Sequence, residues 1–360
     1  MKIPNKPRIL FMWEAHPGPY EYVFAQFPDG FRRLGCELKE LDVDQLTFDE
    51  YRRAIDMFKP DIIFGLLRHP WAVAKVSEFL NDYHPTIALN WFQEDPNFVT
   101  ASMLEASKHF DLWFTQDPRT VKFWPIKAFF SPPAFDDKVY YNRQLNKVYD
   151  LSYIGQLGNQ LCTSMLWPHL QVLARFGKRV LITTERPMGI PILPKLPERI
   201  LRSGRLRAFW QWLPIWRCAW RNPCDENEKA IFVNQSKMHF GVSRVRGPWE
   251  DNVRKILPRY QFDKHDLFCQ IKPRLLHATG SGALAVNDYL PELEEMFDVQ
   301  NELVTFEFGD TEDLYSKLSF YFKHDEERER IARRGFERAH KQHTFTARIS
   351  QIFDCVRKHV

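Results

Sequence analysis

Apolar runs alternate with amphipathic stretches along the N-terminal third of the chain. The first run, at 7–13, is continuously apolar and ends in a Pro- and Gly-containing loop, which is typical of a buried strand. The next stretch predicts a helix over 20–34 that stops at Gly35. Such an order indicates a Rossmann-like parallel sheet covered by helices, with ligand loops at the carboxyl ends of its strands. The same alternation predicts further strands at 36–41, 61–67, 86–91 and 112–115, and helices at 48–58 and 71–80.

A second set of strands begins after a proline-rich passage. Residues 131–133 and a charged stretch precede a new apolar strand at 149–154, which predicts a domain boundary near residue 145. Taken alone, the periodicity fits two-lobed periplasmic-type binding proteins equally well. The remaining predicted strands are 179–183, 238–242, 283–287 and 302–306, and one long charged helix is predicted over 312–334. The expected domains are 1–145 and 146–345, with an insertion at about 186–228 and a last helix over 346–360.

Composition narrows the class of protein. The chain has 360 residues, of which 44% are hydrophobic and 27% charged, and it lacks an uncharged apolar stretch of the roughly 18 residues that a membrane span needs. The N-terminal apolar segment is too short for a secretory signal, so we expect a cytoplasmic protein. A net charge of +4 is too small to indicate nucleic acid. The six cysteines show neither a disulfide framework nor zinc-ligand spacing, and no metal is implied.

One segment, 199–221, is rich in arginine and tryptophan. It carries six arginines, four tryptophans and no acidic residue. This composition on a helix favours contact with an anionic membrane surface. Pro214 would interrupt that helix, so an insertion whose aromatic face packs on the core is the alternative. The residues expected on one helical face are Leu206, Phe209, Leu213, Trp216 and Trp220.

The most informative motif lies within 268–308. Lys272 and Arg274 are followed by a small-residue turn at 279–282, an apolar strand at 283–287 and a Glu-Leu-x-x-x-Phe helix start at 292–297. In this order the segment resembles the C-terminal signature of the CgeB-like family of GT-B glycosyltransferases. The likeness covers the C-terminal half well and the N-terminal half in outline. Further matching pieces are DLSYIGQLG at 150–158, the closing residues Ile331, Ala332, Gly335, His343, Thr344 and Arg348, and, in the N-terminal half, 59–64, Trp91 and Asp95.

This resemblance implies a fold and an activity. The fold would be GT-B, in which two Rossmann-like domains face a central cleft and the last helix crosses back to the first domain. The activity would be that of a hexosyl or related glycosyltransferase, which moves a sugar from a UDP- or GDP-sugar to an acceptor hydroxyl. We expect no permanently bound cofactor, no metal requirement, and a glycan, glycolipid or protein acceptor in cell-surface glycan synthesis. With the segment 199–221, the inner face of the plasma membrane is the expected location.

Glycines and cations predict the donor site in the second domain. A helix beginning near Thr279, at the turn Gly280-Ser281-Gly282, would suit a diphosphate, because helix N-terminal N–H groups bind anions. Lys272 and Arg274 lie just upstream and would add charge-assisted hydrogen bonds. The sequence therefore predicts a phosphate site over 272–282.

Three more residues belong to the expected donor site by their position after strands. Arg244 and Arg246 follow the predicted strand 238–242, at the end where ligands bind parallel sheets. Gly155 follows the strand 149–154, where the lack of a side chain permits close backbone approach.

His277 departs from the pattern of the family. The resemblance implies a glutamate at this position that holds the ribose hydroxyls of the donor. A neutral imidazole nitrogen also accepts a hydrogen bond from a hydroxyl, so binding can survive the change. Two alternatives to a transferase stay open: a non-catalytic nucleotide- or sugar-binding protein, and an assembly protein docked at the membrane through 199–221.

A transferase that inverts the sugar centre needs a base to deprotonate the acceptor hydroxyl. We expect that base on the ligand loops of the N-terminal domain. Asp95 is the first candidate, His16 the second, and Glu94 lies beside Asp95. If the enzyme retains configuration, the leaving phosphate takes the proton instead.

Overall fold

The structure is a computed structural model, and it describes residues 3–14, 21–92, 99–155, 160–183, 218–221, 225–245, 268–269 and 271–360. The chain divides into two compact units. The chain first leaves unit 1 after Asp136 and returns to it for the last time after Lys341. Unit 1 comprises Met1–Asp136, Pro248–Ile271 and Gln342–Val360, and unit 2 comprises Asp137–Gly247 and Lys272–Lys341.

Unit 1 is built on a six-stranded parallel sheet. Its strands are β1 (Arg8–Trp13), β2 (Glu37–Asp42), β3 (Ile62–Leu66), β4 (Ile87–Phe92), β5 (Leu112–Thr115) and β6 (Ala128–Phe130). Its described helices are α1 (Glu21–Arg33), α2 (Phe48–Phe58), α3 (Pro70–Asp82), α4 (Ala101–Ser107) and α10 (Phe345–His359). The strand order is β2-β1-β3-β4-β5-β6. One face packs against α2 and α3, and the other against α1 and α10, so the central strands are apolar throughout.

The C-terminal helix α10 belongs to unit 1, which confirms the predicted return of the last helix to the first domain. Thr344 caps it, because its hydroxyl accepts a hydrogen bond of 3.2 Å from the amide of Ala347. The buried Arg348 donates to the carbonyl of Pro133 and to Nδ1 of His343, each at 3.2 Å. The His-Thr-x-x-x-Arg motif therefore ties the start of α10 to the segment after β6.

Unit 2 contains a second six-stranded parallel sheet, in the order β14-β13-β10-β7-β8-β9. Its strands are β7 (Tyr149–Ile154), β8 (Val180–Thr183), β9 (Ala219–Arg221), β10 (Ser236–Gly241), β13 (Leu284–Asp288) and β14 (Val304–Phe306). Its described helices are α5 (Gln160–Ala174), α6 (Glu226–Asn234), α7 (Pro273–Gly280), α8 (Thr311–Lys323) and α9 (Asp325–Gln342). A further short strand of unit 2 is β11 (Arg244–Val245), whereas the short strand β12 (Phe268–Cys269) belongs to unit 1. The core lies between the sheet and α5, α8 and α9.

The prediction that a helix begins near Thr279 is wrong. Helix α7 begins after Lys272, with Pro273 in its first turn, and it ends at Gly280. Gly282 has φ 73°, its amide donates to the carbonyl of Thr279, and the amide of Ala283 donates to the carbonyl of Ala278. These two bonds form a Schellman motif, which ends a helix. The turn at 280–282 therefore ends a helix, whereas its sequence predicts the beginning of one.

Two other predicted helices are also corrected. The long helix over 312–334 is two helices, because His324 leaves helical geometry and the acidic residues that follow begin α9. Trp220 lies in strand β9, which pairs in parallel with β8, so the predicted helical face does not include it. The rest of that face lies outside the described residues. Among the helices that the structure describes, none is long and apolar enough to cross a bilayer.

Candidate functional site

The sheet of unit 2 has a topological switch point between β7 and β10. From β7 the chain builds β8 and β9 on one side, and then β10, β13 and β14 on the other. This is the strand order of dinucleotide-binding Rossmann folds, in which ligands bind outside the carboxyl ends of the strands at the switch point. The position is therefore where a nucleotide site is expected in this unit.

Arg274 lies over this switch point. It is the second residue of α7, and its Nη1 atom donates to the hydroxyl of Tyr153, on β7, at 3.0 Å. The guanidinium carbon lies 5.1 Å from the centre of the Tyr153 ring, so the cation also contacts the aromatic face. Tyr153 is 1% exposed, so these two contacts fix the position of the arginine. The structure thus brings a predicted phosphate ligand to the predicted edge of the sheet.

Two glycines lie beside Arg274, and Gly155 is the one that leaves room for its guanidinium. A Cβ atom on Gly155 would lie 2.9 Å from Nη1 of Arg274, and one on Gly241 would lie 3.5 Å from its Cδ. The structure thus places Gly155 against Arg274, and its close approach to a ligand stays a prediction. Gly241, at the end of β10, was not found by sequence reasoning, although a glycine that ends an apolar strand is a usable signal.

A buried asparagine holds the loop after β10. Asn287 is paired in register with Gly241, and its Nδ2 atom donates to the hydroxyl of Ser243 at 3.0 Å. A Cβ on Gly241 would lie 2.6 Å from Oδ1 of Asn287, so the glycine makes room for the amide. Asp288 accepts a hydrogen bond of 2.6 Å from the amide of Ser243. The loop is therefore fixed by the neighbouring strand β13.

Unit 1 repeats this arrangement. Gly65 on β3 is paired with Asn90 on β4, and its Cβ would also lie 2.6 Å from the asparagine Oδ1. Asn90 accepts from the amide of Leu67 at 2.9 Å and donates to the carbonyl of Leu67 at 3.0 Å. In both units the asparagine holds the residue two positions after the glycine. We call Gly65 with Asn90, and Gly241 with Asn287, the Gly–Asn pairs.

The positive end of α7 lies at the same edge as Arg274. Lys272 is the N-cap residue and Pro273 occupies the first turn, which carries no acidic side chain. The N-terminal amides and the helix dipole favour an anion here. Gly280, Ser281 and Gly282 lie at the other end of the helix and before β13, at the amino edge of the sheet. The turn at 280–282 therefore lies away from Lys272 and Arg274, and of the predicted phosphate site over 272–282 only the part at 272–274 lies at the carboxyl edge of the sheet.

His277 lies one turn further along α7. Its ring stacks face to face on Tyr140, with 3.8 Å between centroids and 5° between planes. The Tyr140 hydroxyl donates to Glu226, which also pairs with Lys229. Burial of the imidazole, followed by the charges of Lys229 and Arg274, lowers the pKa of His277 well below its usual range. The ring is therefore neutral and keeps one nitrogen able to accept a hydrogen bond.

A second histidine, His239, lies inside the unit on β10. It is 2% exposed, and its Nδ1 atom is 2.8 Å from the hydroxyl of Ser152. Its Nε2 atom has no hydrogen-bond partner among the described residues. Burial, with the nearby Arg274 and His277, lowers the pKa of His239 to about 3. This residue was also missed, because a single histidine in a strand carries no motif.

The structure describes only one of the remaining predicted site residues. Arg244 begins β11, just after the loop that Asn287 holds. Arg246 and the base candidates His16, Glu94 and Asp95 lie outside the described residues. Within the described ranges, no group of three or more His, Cys, Asp or Glu side chains is arranged to hold a metal ion.

Sequence comparison gives one family. Residues 192–354 match the sequence model of a family described as glycosyl transferase-like. This range includes α7, Arg274 and the closing motif. No curated protein matches the chain by sequence.

Comparison of structures gives the fold. Sucrose-phosphate synthase from Thermosynechococcus elongatus has a TM-score of 0.64 at 10% identity, over 98% of this chain and 99% of its own. A glycosyltransferase from Rickettsia africae has a TM-score of 0.65 at 9% identity, over 99% of both chains. Anabaena HepE in complex with UDP and glucose has a TM-score of 0.61 at 11% identity, over 97% of this chain and 99% of its own.

Identities this low establish the fold alone. The chain consists of two parallel-sheet α/β units with a C-terminal helix, and it resembles GT-B glycosyltransferases, as its sequence predicts. The match of residues 192–354 to the glycosyl transferase-like family supports glycosyl transfer. The narrower resemblance to the CgeB-like family stays a prediction.

Proposed function

We propose that the protein is a glycosyltransferase whose unit 2 binds a nucleoside diphosphate sugar at the β7/β10 switch point. The observation that carries this proposal is the position of Arg274. Arg274 lies at a switch point and at the N-terminus of α7, and Gly155 leaves room for its side chain. HepE, which has the same fold, is described in complexes with UDP and with UDP-glucose, and this favours a UDP-sugar donor.

The proposed chemistry is stabilisation of the leaving nucleoside diphosphate. Negative charge grows on its phosphate oxygens as the glycosidic bond to the sugar breaks. Arg274, Lys272 and the amides of the first turn of α7 would supply fixed positive charge at that point. Because these groups carry the charge, we propose transfer without a metal requirement. The acceptor would be a hydroxyl of a cell-surface glycan or glycolipid, glycosylated on the cytoplasmic side of the membrane.

His277 would hold the donor's ribose in place of the glutamate expected from the family. Its neutral ring can accept one hydrogen bond from a ribose hydroxyl, and Tyr140 fixes the plane of the ring. A carboxylate would accept two such bonds. His277 is therefore the feature that favours the second candidate function, a nucleotide-sugar-binding protein without transferase activity.

Arg274→Ala is expected to weaken nucleoside diphosphate binding about 10- to 100-fold, the effect of losing one charged hydrogen bond. Isothermal titration calorimetry of UDP, GDP, CDP, ADP and TDP against the wild-type protein identifies the base that binds. The matched control is Arg179→Ala, just before β8 at the amino edge of the same sheet, where Arg179 pairs with Asp150 at 2.6 Å. Equal binding by wild type and Arg274→Ala would refute the assigned site. Release of UDP from UDP-glucose by the wild type separates the enzyme from the binding protein.

Gly155→Ala is expected to weaken the same binding at least about 10-fold, because a small displacement of a positioned group has large effects. The added methyl group would lie within 3.0 Å of both the Tyr153 hydroxyl and Nη1 of Arg274, so the guanidinium must move. Calorimetry with UDP measures the loss, and an unchanged melting temperature shows that the sheet is intact. Binding equal to wild type would mean that Arg274 does not need its present position.

A further inference from the structure

Arg274 and His277 lie on the same side of helix α7, because residues three apart are neighbours on a helix surface. Arg274 is in the first turn, where the positive end of the helix dipole lies at the carboxyl edge of the sheet. His277 follows about 4.5 Å further along the helix axis, at a rise of 1.5 Å per residue. A ribose joined to a phosphate at Arg274 can therefore reach His277.

The plane of the His277 ring is fixed by its neighbours in unit 2. The ring stacks on Tyr140, which is fully buried. The hydroxyl of Tyr140 donates to Glu226, in the first turn of α6, and Glu226 pairs with Lys229 one turn further along that helix. Because the phenol is buried and anchored, the imidazole stacked on it keeps one plane.

The nitrogens of the His277 ring are open to a ligand. The side chain is half-buried, and neither nitrogen hydrogen-bonds to any residue that the structure describes. His239 differs in both respects, since it is 2% exposed and its Nδ1 atom contacts Ser152. A neutral imidazole offers one donor and one acceptor. His277 therefore presents a single uncharged acceptor to a hydroxyl group.

The carboxylates near this ring are already engaged. Glu226 accepts from Tyr140 and pairs with Lys229. Asp288 accepts two hydrogen bonds, one from the backbone of the loop after β10 and one from the neighbouring asparagine side chain. A carboxylate is the group that holds the ribose 2′-hydroxyl in Rossmann folds, through strong charge-assisted bonds. In the described part of unit 2, the neutral ring of His277 takes that place.

We propose that the donor site of unit 2 accepts 2′-deoxyribonucleoside diphosphate sugars, such as those of deoxythymidine, nearly as well as ribonucleoside ones, because the ribose meets His277. This inference rests on the proposed function and specifies the class of donor. A site rejects a ligand that lacks a hydroxyl when the partner of that hydroxyl is left unpaired. A charged partner then costs about 10- to 100-fold in affinity, whereas a neutral one costs less than about 10-fold.

Calorimetry with UDP and its 2′-deoxy form, dUDP, tests this inference, because the two ligands differ only in the 2′-hydroxyl. For the wild type, we expect the Kd of dUDP to exceed that of UDP by less than about 10-fold. His277→Glu is expected to raise this ratio to between about 10 and 100, since Lys229 and Arg274 favour the charged carboxylate. His277→Gln is the matched control, because glutamine has the size of glutamate without its charge, and its ratio should equal that of the wild type.

The same comparison applies to GDP, CDP and ADP with their 2′-deoxy forms if the site prefers another base. A ratio above about 10 for the wild type would overturn this inference and leave the proposed function intact. Equal ratios for His277→Glu and His277→Gln, with melting temperatures that show both variants folded, would also overturn it, because the ribose would then not reach residue 277. If no nucleoside diphosphate binds the wild type, the proposed function fails and this inference with it.

Discussion

Gly335→Ala is expected to destabilise unit 2 by about 3 kcal/mol, the upper range for an added methyl group in a packed interior. Gly335 lies in α9, and its Cβ would lie less than 3.0 Å from the carbonyl oxygen of Glu302 and 3.4 Å from Cγ2 of Thr279. The nearer neighbour is backbone, held by the turn before β14, so it cannot rotate away. Helix α9 must therefore shift from the sheet, and urea denaturation measures the loss of free energy of unfolding.

Gly30→Ala is the matched control for this prediction. Gly30 also lies in a helix, α1, but its Cβ would meet the Cδ1 methyl group of Ile349, which is the far end of a flexible side chain. Alanine also gains about 1 kcal/mol of helix propensity over glycine. We therefore expect almost no net change at this position. If Gly335→Ala were as stable as Gly30→Ala, close packing of α9 would not explain the glycine of the closing motif.

The stability of the wild-type protein is expected to fall by about 1.4 kcal/mol per pH unit as the pH drops below about 6, through His239 alone. The pKa of His239 is lowered to about 3 in the folded protein by burial, followed by Arg274 and His277. An unfolded imidazole takes up its proton near pH 6.5, so between these two values the unfolded state binds more protons. Acid therefore favours unfolding in this window, and the contribution is absent above it.

His239→Gln is expected to flatten this dependence. Urea denaturation at several pH values between 4 and 8 gives the slope for both proteins. At pH 8 both residues are uncharged, so any difference there reports packing and the lost contact with Ser152. Below pH 6 the difference in free energy of unfolding between the two proteins should shrink, because only the wild type carries the titrating imidazole of His239. Parallel curves for wild type and variant would show that His239 is protonated in the folded protein.

Much of the fold was accessible from the sequence because buried parallel strands are continuous apolar runs. Strands β5 and β7 and helix α2 have the bounds that the pattern predicts. The three-residue strand β6 and the seven-residue α4 were missed, since such short elements carry too little periodicity. The long helix over 312–334 was predicted as one element because its charges continue through the break at His324.

The candidate site was predicted in part. Arg274 and Gly155 were found through the motif and strand pattern, and they lie together. The start of helix α7, which is proposed to bind phosphate, was misplaced because Gly280 and Gly282 were interpreted as a helix start. Pro273 was the better start signal and Gly282 the stop signal, by their ordinary preferences at helix ends.

The Gly–Asn pairs limit which substitutions each unit can accept in related proteins. Asn90 forms hydrogen bonds through both Oδ1 and Nδ2, Asn287 forms them through Nδ2, and each asparagine has a glycine opposite that makes space for it. A larger residue at Gly65 would expel Asn90, and loss of Asn90 would remove the constraint on Gly65. We therefore expect that, in related proteins, a substitution of the glycine of a pair is accompanied by a substitution of its asparagine. The pairs would then mark, in otherwise dissimilar sequences, which loop of each domain carries the ligand.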